Sequence, residues 1–223
     1  MFQMVKIPEE IIPAILSKNI EDFKVDLNKL LSSKTLNSGW VHVDFMDNIL
    51  VPNKSINPDD LANMDFGALK KEAHLMVKQP KSWIKRCLEL GFARIIIHIE
   101  ADEDIAGYIE LIKRGVAESV LAINPDTDIK ALEPYSQIVD RVLVMGVTPG
   151  FQGQPFVPET IHKIREIKSK GWPVKISVDG AVKDTNAGEI LEAGADSLIL
   201  GSFLMKGDPD ENLAQLLKVL EAF

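Results

Sequence analysis

The order of apolar patterns along the chain constrains its fold more than any other feature. Short apolar runs suited to strands alternate with longer amphipathic runs suited to helices. The strand segments are Ile11–Leu16, Trp40–Asp44, Glu72–Val77, Arg94–Ile99, Ser119–Ile123, Arg141–Val147, Val174–Asp179 and Ser197–Leu200. Helical patterns fill the gaps at Ile20–Leu31, Lys81–Leu90, Asp104–Lys113, Asp128–Pro134, Glu159–Lys170, Lys183–Ala193 and Asp210–Ala222, and Asn57–Leu69 reads as a short helix. Such alternation builds a parallel sheet, because each parallel crossover needs a covering element. Eight units in 223 residues, about 28 residues each, suit a closed α/β (β/α)8 TIM barrel near the lower end of its usual size. A doubly wound open sheet is the alternative, but no G-x-G-x-x-G follows the first strand, which argues against dinucleotide binding. No linker, low-complexity tract or charge block divides the chain, so a single barrel domain over residues 1–223 is expected.

Hydrophobic residues make up 46% and charged residues 26%, with a formal net charge of −8. This balance suits a globular protein and argues against a nucleic acid or an anionic membrane as partner. It leaves room for a phosphorylated small molecule, because backbone amides bind phosphate without net positive charge. The single cysteine, Cys87, rules out an intrachain disulfide framework and sits in a helical pattern as an inert packing residue. No apolar stretch approaches the roughly 18 residues of a membrane span. Met1–Glu10 lacks the pattern of a secretion signal, so a cytoplasmic protein is expected.

Strand phasing places the chemistry. Side chains at i and i+2 share one face of a strand. In Trp40–Met46, Val41, Val43 and Phe45 face the helices, while His42, Asp44 and Met46 face the barrel interior. His74 and Met76 share a face in the next strand. In Arg94–Glu100 the inward set is Ile96, His98 and Glu100, and in Lys175–Asp179 it is Ser177 and Asp179. The polar groups therefore converge near the C-terminal ends of strands, where barrel active sites lie. His42, Asp44, His74 and Asp179 together suit one divalent ion, Zn²⁺, Fe²⁺, Mn²⁺ or Co²⁺, with a position left for substrate. The opposing reading is hydrogen-bonded core histidines with loop-capping aspartates. Asp47 reads as a loop brace, and His98 and Glu100 as support for the site or as polar core residues. Glycine-bearing turns follow the late strands at Thr148–Gln154, Asp179-Gly180-Ala181 and Gly201-Ser202. Their exposed amides at one barrel end point to an anion site.

These stretches, taken in order, resemble the ribulose-phosphate 3-epimerase family. The matching segments are His42-Val-Asp-Phe-Met-Asp-Asn with Val51-Pro52-Asn53, His74-Leu-Met-Val and Ala122-Ile-Asn-Pro125. Val144-Met145 through Pro149-Gly-Phe-Gln-Gly-Gln154, Val178-Asp-Gly180, and Ala193-Gly-Ala-Asp196 with Gly201-Ser202 complete the set. The resemblance implies a TIM barrel of the ribulose-phosphate-binding type. It implies interconversion of D-ribulose 5-phosphate and D-xylulose 5-phosphate, by a chain expected to form a homo-oligomer. It also implies a divalent metal on His42, Asp44, His74 and Asp179, with Asp44 and Asp179 as the acid/base pair. Met46, Met76 and Met145 would cover the reacting carbon, and Gly150, Gly153, Gly180, Gly201 and Ser202 would lie at the phosphate. Two departures stand out: Ala14 where the family has a substrate-contacting serine, and Ala181 where it has a second glycine. Ala181 should strain a positive φ. Ala14 motivates an alternative substrate, a ketohexose 6-phosphate such as D-allulose 6-phosphate, and the two changes together motivate a barrel that binds phosphosugar without catalysis.

Overall fold

The computed structural model describes residues 7–102, 104–151 and 153–223; Gln152 of the Pro149–Gln154 segment and residues 1–6 lie outside the described part. Eight parallel strands close into a barrel in chain order. They are β1 (Glu10–Ile15), β2 (Ser38–Met46), β3 (Ala68–Met76), β4 (Arg94–His98), β5 (Glu118–Ile123), β6 (Arg141–Met145), β7 (Lys175–Asp179) and β8 (Ser197–Leu200). The helices are α1 (Ile20–Ser32), α2 (Lys81–Glu89), α3 (Ile105–Arg114), α4 (Glu159–Ser169), α5 (Asp184–Ala193), α6 (Ser202–Met205) and α7 (Pro209–Ala222).

Period-two alternation in the strands yields two apolar layers. The outer layer packs Val41, Val43, Phe45, Ile95, Ile97, Ile176 and Val178 against the helices, and includes Cys87 of α2. The inner layer holds Ile12, Ala14, Ile96, Val120, Ala122, Leu143, Met145 and Ile199. This two-sided burial explains why the strands read as near-continuous apolar runs.

The N-terminal half of the barrel interior is charged rather than apolar. Arg94 on β4 is 2% exposed. It donates through Nη1 to Glu72 at 2.7 Å, through Nε to Glu118 at 2.7 Å and through Nη2 to Glu10 at 3.1 Å. Arg141 donates to Ser177, Ser197 and Glu118. Buried carboxylates are tolerated here because each has a guanidinium partner with matched geometry. Burial would raise the Glu10 carboxyl, but Arg94 and Arg141 outweigh it and hold it below its ordinary value.

Several segments differ from the sequence expectations. Asp128–Pro134 forms a 3-10 helix over Ile129–Tyr135, and Pro134, which has no N–H to donate, lies inside it. Asn57–Leu69 contains only a 3-10 turn at Pro58–Leu61, capped by Asn57. The chain then enters β3 at Ala68, well before Glu72. Lys70 and Lys71 interrupt the apolar pattern there, yet β2 and β3 pair in register from Ser38–Ala68 to Met46–Met76. Lys71 sits over the rings of Phe66 and Phe92. Strand β6 stops at Met145, where Gly146 meets the turn after β7. The short helix α6, directly after Gly201, was not expected.

Candidate active site and metal centre

The inward-facing residues at the C-terminal ends of β2, β3 and β7 meet at one point. One ligand atom from each of His42, Asp44, His74 and Asp179 lies within 4.8 Å of the others. His74 Nδ1 stands 2.8 Å from Asp44 Oδ1 and 3.2 Å from His42 Nε2, which is 3.1 Å from Asp44 Oδ1. Asp179 Oδ2 lies 3.7 Å from His74 Nδ1 and 3.9 Å from His42 Nε2. Donors bound about 2.0–2.2 Å from a shared ion sit about 3–3.5 Å apart. The four groups thus surround a point at which an ion of that size fits.

The proton count points the same way. His42 Nδ1 faces Glu72 at 2.6 Å, and Glu72 is anchored by Arg94. A proton on Nδ1 leaves the Nε2 lone pair aimed into the cluster. If His74 Nδ1 is likewise presented as a lone pair, two imidazoles and two carboxylates offer acceptors only, an arrangement suited to a cation. The electrostatics of the cluster show the same demand. Burial pushes the His42 imidazole down, but Asp44 and Glu72 overcome it and hold it well above its ordinary value. Burial would raise Asp44, yet His42 and His74 hold it far below the usual carboxylate range. Asp179 moves upward: burial raises it, the histidines oppose, and the Asp44 charge adds to the rise.

The cluster opens on a cavity of about 460 Å³. Asp44, Asp179, Met76 and Met145 line its inner end, and Gly150, Gly153, Gly180, Gly201 and Ser202 its outer end. Ala14 and Ala181 also line it. Met46 does not reach the cavity surface. It is fully buried and packs with Met76 and Val51. Asp47 braces the loop after β2, accepting from the amides of Ile49, Leu50 and Lys78. Asn53, from the same loop, donates to the Gly150 carbonyl at 2.7 Å and ties two rim loops together.

Glycine is required at two rim positions. Gly180 has φ +105°, and a Cβ there would meet Val147 Cγ2 at 2.8 Å. A Cβ on Gly146 would lie 2.3 Å from the Gly180 carbonyl oxygen. Gly146 was not singled out from the sequence, where it read as lying inside the strand Arg141–Val147. Ala181 adopts φ +54°, a left-handed conformation that costs a residue with a Cβ about 1–2 kcal/mol. Glu72 was also missed as a site residue. Its spacing two before His74 puts it on the same inward face.

A parallel eight-stranded barrel with its polar cluster and glycine turns at the C-terminal end has the layout of a TIM-barrel enzyme. The chain belongs to the ribulose-phosphate 3-epimerase family, whose model matches residues 10–205. A ribulose-phosphate 3-epimerase of Escherichia coli (strain K12) is 35% identical over 220 residues, covering 94% of this chain and 96% of the relative. One from Aquifex aeolicus is 34% identical over 185 residues, covering 81% and 83%. Among solved structures, 3-keto-L-gulonate-6-phosphate decarboxylase of Vibrio cholerae superposes with a TM-score of 0.73 at 10% identity, over 97% of this chain and 99% of the other. The 3-hexulose-6-phosphate synthase of Salmonella typhimurium gives 0.72 at 14%, over 96% and 99%. At such identities these two share the barrel alone.

Proposed function

We propose that this protein is a metal-dependent 3-epimerase that interconverts D-ribulose 5-phosphate and D-xylulose 5-phosphate. The observation that carries the reading is the convergence of His42, Asp44, His74 and Asp179 within 4.8 Å, opening on a cavity whose far end is made of glycine turns. His42, Asp44, His74 and Asp179 would hold one divalent ion, which supplies positive charge beside the developing enediolate oxygens. Gly150, Gly153, Gly180, Gly201 and Ser202 hold the phosphate and so set the distance from the phosphate to C3. Asp44 and Asp179 reach the cavity from strands separated by β8 and β1. One carboxylate removes the C3 proton from one face and the other carboxyl returns a proton to the opposite face. The roles reverse in the back reaction. Met76 and Met145 exclude water from the reacting carbon without offering a competing proton, and Met46 packs behind Met76.

A coupled assay on protein of known metal content tests the reading. Dialysis against a chelator is expected to abolish turnover, and a first-row divalent ion to restore it. Full turnover by metal-free protein would sink the proposal. The same assay on a ketohexose 6-phosphate is expected to give a lower kcat/KM than the pentose, and the reverse order would reassign the substrate. Gly146→Ala should force the Gly180 turn outward and lower kcat/KM by about a hundredfold, as misplacement by about an ångström commonly does. Unchanged kinetics in that variant would mean that the two turns do not set the substrate's position.

A further inference from the structure

From His74 of the cluster a chain of polar side chains runs on through His98 and Glu100, neither of which the proposed reaction uses. His74 and His98 are both fully buried, on the adjacent strands β3 and β4. His74 turns Nδ1 toward Asp44 and His42, so its Nε2 points away from the cluster. That nitrogen meets His98 Nε2 at 2.8 Å. The ring centroids are 5.0 Å apart and the planes differ by 17°. An in-plane N–H···N bond between two imidazoles gives this separation, because each ring adds about 1 Å to the roughly 2.9 Å bond. His98 Nδ1 in turn lies 3.1 Å from Glu100 Oε2. The other oxygen of Glu100 accepts from the Asn124 amide at 2.9 Å and from the Thr127 hydroxyl. Lys163 on α4 donates to the carbonyls of Asn124 and Thr127, fixing that loop.

We infer that His98 and Glu100 are positioning residues that hold His74 in the one tautomer and ring orientation able to present Nδ1 to a metal ion. The inference rests on the metal reading of the cluster. Two lone pairs cannot face each other at 2.8 Å, so one of the two Nε2 atoms carries the proton. If His74 offers its Nδ1 lone pair to an ion, its proton must sit on Nε2. His98 Nε2 then accepts, the His98 proton sits on Nδ1, and Glu100 accepts it. Every proton in the chain follows from the first. A ligating imidazole whose other N–H has a fixed acceptor is held in orientation and made more basic. His42 gains the same support in a different way, directly from Glu72 backed by Arg94. The two histidine ligands are thus held by unlike partners, a carboxylate for one and a neutral ring for the other.

Two measurements on the full chain test this. Long-range ¹H–¹⁵N NMR of the zinc-loaded wild-type protein is expected to show the proton of His74 on Nε2 and that of His98 on Nδ1. Zinc affinity by chelator competition is expected to fall 10–100-fold in His98→Leu, the usual loss when such a partner is removed. His98→Gln, whose amide oxygen can accept from His74 Nε2–H, should stay within about threefold of the wild type, a rescue that a purely packing role would not give. Wild-type affinity in His98→Leu would overturn the positioning role while leaving the metal reading intact, whereas a proton on His74 Nδ1 in the zinc form would overturn that role and also remove His74 from the ligand set. A wild-type protein that takes up no zinc would overturn both. Should His98→Leu fail to fold, the wild-type tautomers decide.

Discussion

Asp179→Asn and Asp44→Asn are each expected to lower kcat by about 10²–10⁴-fold, the range in which a positioned acid or base contributes. Asparagine keeps the size of the side chain but can neither take nor return a proton at the working pH. The barrel should stay folded, since both carboxyls face the cavity and neither fills the core. The two losses should not add. Once one face of C3 lacks its acid or base, the reaction cannot be completed from the other, so the double variant should be about as slow as the worse single one. Steady-state rates with circular dichroism as a fold check read this out. A single variant with more than a tenth of wild-type kcat would remove that aspartate from the proton-transfer pair.

The second large effect concerns stability. Arg94→Leu is expected to destabilise the protein by about 3–5 kcal/mol, because it leaves Glu72 buried without its guanidinium partner. Glu72 and Arg94 are 1% and 2% exposed, so water cannot take over the role of the guanidinium. The pH dependence has a definite sign. The Glu10 carboxyl is held below its ordinary value by Arg94 and Arg141 against the effect of burial. Its contribution is therefore present above the ordinary glutamate pKa and is lost as pH falls through the lowered folded value. Without Arg94 that contribution shrinks, so the gap between variant and wild type should narrow on acidification. Denaturant unfolding at pH 7 and pH 4 measures it, and a gap that widens toward pH 4 would contradict the assignment. Arg94 also reaches the active site, through Glu72 to His42, so the variant should bind metal more weakly as well.

The parts that the sequence revealed are those governed by strict periodicity. The inward phase of His42, Asp44, His98 and Asp179 followed from period-two alternation in strands whose opposite face is apolar. The same rule made Glu72 readable, but the polar Lys70-Lys71 pair made the strand seem to begin there, which hid its place beneath His42. Features set by tertiary contact were not legible. Nothing local distinguishes Gly146 from an ordinary turn glycine until the Gly180 carbonyl is brought against it. Met46 has the phase of a cavity residue, yet Met76 and Val51 cover it. Ile129–Tyr135 read as helical, but its 7 residues are too few to separate a 3-10 from an α period, and the four-residue α6 is too short for any period to register. Ala181 was legible as a strained position only through the family resemblance, which has a second glycine there, and it does adopt φ +54°.

The central claim is that a metal-holding cluster and two carboxylates exchange the C3 proton of a phosphorylated ketose. The most direct measurement incubates protein of counted metal content with D-ribulose 5-phosphate in D₂O and follows the sugar by NMR. The account predicts D-xylulose 5-phosphate carrying deuterium at C3, formed at a rate proportional to bound metal. No product at full metal occupancy, or product that retains its original hydrogen at C3, would contradict it.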